Sequence, residues 1–74
     1  MYKMNKCEIE MLKIEYDGIK DKVLEYENDI HEYRQGKNPY ITLDDIHLME
    51  EQLYYMHGYL RLIKIRLYKQ DIKV

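Results

Sequence analysis

Residues 46–67 read IHLMEEQLYYMHGYLRLIKIRL, and Ile46, Met49, Leu53, Met56, Leu60, Ile63 and Leu67 recur in them at alternating spacings of three and four. A sustained series of this kind marks a helix that packs along a seam. The first half of the chain repeats it with Ile9, Leu12, Tyr16, Ile19, Val23, Tyr26, Ile30 and Tyr33. The stretch Gln35-Gly36-Lys37-Asn38-Pro39-Tyr40 breaks the pattern between them. Gly36 suits the left-handed position after a helix, and Pro39 blocks continuation. The start of the second helix is written out in full. Thr42 is the N-cap, Asp45 at N3 reaches back as an Asp version of the capping box, and Ile41 and Ile46 form a hydrophobic staple.

These signals predict helix 1 over about 4–34, a loop over about 35–41 and helix 2 over about 42–70. Each helix is about 45 Å long at 1.5 Å per residue, and so short a loop forces them antiparallel. The fold class is all-α: an antiparallel two-helix coiled-coil hairpin forming a single domain, residues 1–74. Pairing the seams about the loop sets Tyr33 near Ile46, Tyr26 near Leu53, Ile19 near Leu60 and Leu12 near Leu67. One edge then offers Glu15 to Arg66 and Glu8 to Lys73. The other sets Lys13 near Lys64 and Glu27 near Glu50, like charges that suggest contact with something beyond the hairpin.

Composition narrows the function. Twelve basic and fourteen acidic residues leave a net charge of −2, which argues against a strongly basic nucleic-acid module and against an acidic DNA mimic. No apolar run approaches the ~20 residues that span a bilayer, and the charged start is no signal-peptide core. The expected location is cytoplasmic. Serine is absent, so a Ser-His-Asp nucleophile is excluded. The single cysteine, Cys7, rules out an internal disulfide. No Gly-rich phosphate loop, paired catalytic carboxylates or zinc motif is present. The sequence points to no enzyme, no cofactor and no metal. His31 and His47 flank the loop near Glu27, Glu50 and Glu51, but solvated helix positions explain them without HExxH or Glu-x-x-His spacing.

A second apolar series remains: Met4, Cys7, Met11 and Ile14 on helix 1, at positions opposite the seam, and Leu48, Tyr55, Leu62, Ile65 and Ile72 on helix 2, interrupted by Gly58. The hairpin sets both series toward its open end, away from the loop. One seam cannot cover them, and contiguous apolar patches mark interaction surfaces. A chain this small gains stability by association. The expectation is a homodimer forming a four-helix bundle, with C2 symmetry as the default. Two other readings stay open: Met4 and Cys7 in a frayed N-terminus, or a wide stripe on helices wrapping one common core. Gly18 and Gly58 permit close approach of another backbone or are simply tolerated. Cys7 reads as an inert thiol rather than a reactive one. Tyr54, Tyr55 and Tyr59 around Gly58 read as a contact cluster. The candidate contact residues are thus Met4, Cys7, Met11, Ile14, Tyr55, Tyr59, Leu62, Ile65 and Ile72.

The segment from Leu12 to Leu67, above all Gln52-Leu53-Tyr54-Tyr55-Met56-His57-Gly58-Tyr59-Leu60, resembles small helical-hairpin accessory proteins encoded by tailed bacteriophages. The resemblance implies a non-enzymatic inhibitor or adaptor that binds a host protein such as an immune-system component. Two alternatives stand beside it. One is a nucleic-acid-associated regulator using the basic stretch Arg61 to Lys69, whose charges helix-dipole compensation also explains. The other is a purely structural assembly module.

Overall fold

A computed structural model describes residues 2–74. Two helices, α1 over Lys6–Arg34 and α2 over Leu43–Tyr68, pack against each other as a hairpin, and the described residues contain no strand. The rod measures 48 × 16 × 15 Å. Every seam residue named from the sequence is buried or half-buried. Leu12, Val23, Ile30, Ile46, Ile63 and Leu67 form its dry positions. Seam tyrosines 16, 26 and 33 are half-buried, and Lys22 lies over the Tyr26 ring at 5.6 Å. Polar neighbours bracket the expected register. On one flank Arg34 meets Glu50 at 3.5 Å and His57 meets Glu27 at 3.3 Å. On the other, the Tyr59 hydroxyl donates to Glu15.

Both helices start with the same device. Thr42 Oγ1 accepts from the Asp45 amide at 3.2 Å, and the Asp45 carboxylate accepts from the Thr42 amide at 3.1 Å. Asn5 and Glu8 repeat this exchange at 2.8 and 3.2 Å. Helix 1 therefore begins at Lys6, two residues later than expected. Met4 is not on the outer face of a helix. It precedes the cap, where it is buried in a cluster with Leu12, Ile63 and Leu67, and Ile9 packs on the same cluster. Met4 and Ile9 thus form a second hydrophobic staple. An Asn-x-x-Glu cap and an apolar residue before it outweigh one more turn of helix at a fraying end.

Both helices also stop alike. Gly36, at φ 71°, ends α1, with Lys37 N–H donating to the Glu32 carbonyl and Gly36 N–H to that of Tyr33. Asp71, at φ 63°, ends α2, with Ile72 N–H donating to Leu67 and Asp71 N–H to Tyr68. These paired bonds are Schellman closures. Ile72 packs on the Leu67 cluster, so it too belongs to the core rather than to the outer face. A β-carbon at positive φ costs energy that glycine avoids. Asp71→Gly is expected to raise stability by up to about 1 kcal/mol, read as a higher thermal midpoint. An unchanged or lower midpoint would remove the closure from the account.

The caps predict an acid response. Hydrogen bonds from the Thr42 amide and hydroxyl hold the Asp45 carboxyl below its ordinary value. The Tyr2 hydroxyl, then the Asn5 amide, with a smaller contribution from the Arg66 charge, do the same for Glu8. A lowered carboxyl contributes stability above its unfolded-state pKa and loses it as pH falls through its folded one. Helicity should therefore decline from the ordinary carboxyl range downward. Glu8→Gln with Asp45→Asn should flatten that decline in a pH titration followed by circular dichroism, and an unaltered acid limb would contradict the cap assignment.

Candidate protein-binding faces

In a two-helix rod, the side of each helix opposite the seam points away from its partner helix. The outer side of α1 carries Cys7, Met11, Ile14 and Gly18; that of α2 carries Leu48, Tyr55, Gly58, Leu62 and Ile65. The two series overlap in height only toward the open end, where Ile14 stands level with Ile65, and they lie on opposite edges of the rod. They do not merge into one patch, because a hairpin turns its two outer helix sides in opposite directions.

The expected contact residues accordingly divide in three. Met4 and Ile72 close the core at the open end. Cys7, Met11 and Ile14 are exposed on the α1 edge, with Met11 at 66% and Ile14 at 68%. Tyr55, Leu62 and Ile65 are exposed on the α2 edge, with Tyr55 at 65% and Ile65 at 40%. Tyr59 sits on the flank, and its bond to Glu15 pushes the phenol above its ordinary pKa. It ties the helices together, so its ring edges the outer face while its hydroxyl serves the fold.

The α2 edge is the better formed of the two. Tyr54 and Tyr55 stack edge to face at 5.5 Å and 80°. With Gly58, Tyr59, Arg61 and Leu62 they line a shallow apolar depression. Gly58 is its floor. A β-carbon built there meets nothing within 4 Å. Glycine in a helix interior costs about 1 kcal/mol against alanine, and no packing among the described residues requires it at this position. Tyrosine provides contact area at little entropic cost, which suits a binding surface. Tyr54 completes the cluster through the ring stack, a contact that helical spacing alone does not indicate.

The polar flanks differ from expectation. Glu27 and Glu50 line one groove, as paired seams require, but His57 and Arg34 sit beside them with His31 close by. Arg34 offsets the charge of Glu50 within the hairpin, and Glu27 has the His57 imidazole beside it. Glu15 takes Tyr59 in place of Arg66. Arg66 instead lies near enough to Glu8 and Tyr2 to influence both, which neutralises part of the basic stretch. Among the described residues, no group of three His, Cys, Asp or Glu is placed to hold a metal ion. No helix among them is long and apolar enough to cross a membrane.

A feature absent from the sequence reading is the clasp at the open end. The Gln70 side-chain amide accepts from Met4 N–H at 3.0 Å and donates to the Tyr2 carbonyl at 2.9 Å. One amide thus pairs with the extended N-terminal segment as a neighbouring strand would. No family model, curated protein or solved structure matches this chain.

Proposed function

We propose that this chain is a non-enzymatic protein-binding module: a helical hairpin that associates with itself into a four-helix assembly and engages a protein of its host as an inhibitor or adaptor. The reading follows the resemblance to phage accessory proteins and sets its action in the host cytoplasm. The observation that carries it is the tyrosine-rich apolar face of α2, centred on Gly58, which none of the described residues covers. Solvating such a face in isolation is unfavourable, and a partner relieves it.

The test is light scattering on the pure protein at tens of micromolar, followed by affinity capture from host lysate with Ile65→Asp and Met11→Asp as controls. A dimer or larger species is expected, together with a captured protein that at least one of the two variants loses. A folded monomer that captures nothing the variants lose would end the proposal. Nucleic-acid binding finds less support, since the charge of Arg66 already acts on Glu8 within the hairpin.

A further inference from the structure

We infer that the occupant of the α2 face is a second copy of α2, laid antiparallel across a twofold axis near Leu60. This rests on the self-associating reading above and gives it a geometry. Two observations carry it.

The first is charge. On the outer side of α2, Glu51 stands in the first half and Lys69 just after the last turn. An antiparallel copy centred near Leu60 sets Glu51 against Lys69 at both ends of the contact, whereas a parallel copy sets Glu51 against Glu51. Complementary charge of this kind selects orientation.

The second is shape. With the axis near Leu60, Leu62 of each copy enters the space that Gly58 of the other leaves open, and a β-carbon there would obstruct it. Tyr55 then covers Ile65 of the second copy, and Glu51 meets its Lys69. Side chains entering gaps between facing residues are the packing mode of paired helices. On one flank Arg61 meets Arg61 of the second copy, outside the apolar row. The arrangement lays four helices side by side, α1 outermost in each copy. The edge bearing Met11 and Ile14 stays open for the host protein.

Sedimentation equilibrium on the full chain between about 1 and 100 µM tests this, with Gly58→Leu as the decisive variant. Leucine is a good helix former and its site faces open space, so the hairpin keeps its helicity. Dimer dissociation should rise roughly tenfold or more, because the gap is filled. In a Cys7→Ser background, mixed Glu51→Cys and Lys69→Cys chains should form a disulfide-linked dimer on oxidation that neither forms alone. A dimer indifferent to Gly58→Leu, or cross-linked dimers from either single variant alone, or no cross-link in the mixture, would overturn the arrangement while leaving the binding-module reading intact. A monomer throughout the range would overturn the arrangement and the self-association it rests on, while capture of a host protein decides the binding-module reading.

Discussion

Leu67→Ala should lower the thermal midpoint by at least about 10 °C. Leu67 is wholly buried, and it shares one cluster with Met4, Leu12 and Ile63, flanked by Ile9, Tyr16, Ile19 and Ile72. Truncating such a leucine costs about 2–5 kcal/mol through lost transfer energy and the cavity left behind. A chain of this length has roughly 4–11 kcal/mol in total, and a single seam places it toward the low end. In a domain this small each kcal/mol moves the midpoint by about 4–8 °C. The loss should be visible as reduced helicity even at room temperature. Leu24→Ala is the control: Leu24 is equally helical but exposed, and its truncation should change stability by no more than about 0.5 kcal/mol. Equal melting of the two variants would mean that the open-end cluster is not the core.

Ile65→Asp should abolish self-association while leaving the hairpin helical. Ile65 lies on the outer side of α2, where a charge costs the single chain little because it stays in water. In the twofold arrangement the aspartate enters the interface twice, each time opposite a tyrosine ring. Burying an unpaired carboxylate is costly, and two such events should weaken the pair by about a hundredfold or more. Met11→Asp provides the contrast. It sits on the opposite edge, so it should spare the dimer and reduce only capture of a host protein. Concentration-dependent sedimentation reads the first effect and affinity capture the second. If both variants impair dimerisation equally, the two edges do not have separate roles. If Ile65→Asp unfolds the chain, the outer side of α2 belongs to the core after all.

The hairpin was legible because its defining signal is long. Fifteen seam positions repeat one spacing over both helices, and each is buried or half-buried. The Thr42–Asp45 cap was equally readable, since polar loop and apolar helix meet there without competition. The N-terminus misled because two patterns overlap on the same letters. Met4 and Cys7 extend the outer spacing of helix 1, yet Asn5 and Glu8 spell a cap that starts the helix between them. Local hydrogen bonding decided it, and Met4 turned inward. Ile72 shows the same limit. It matches the outer series by count, but the reversal at Asp71 places it on Leu67. The separation of the two outer faces lies in the third dimension: spacing tells which side of a helix a residue takes, and only the antiparallel pairing turns those sides apart. The Gln70 clasp joins positions 66 and 68 residues apart, beyond the reach of any periodic pattern.

That clasp fastens the two chain ends together at one pole of the rod, with the loop at the other. Joining residue 74 to residue 2 through a brief flexible tether, and cutting the backbone within 37–40, should therefore yield a circularly permuted protein with the same helix pair. Reporter domains fused before residue 2 and after residue 74 would stand next to each other, far from the turn.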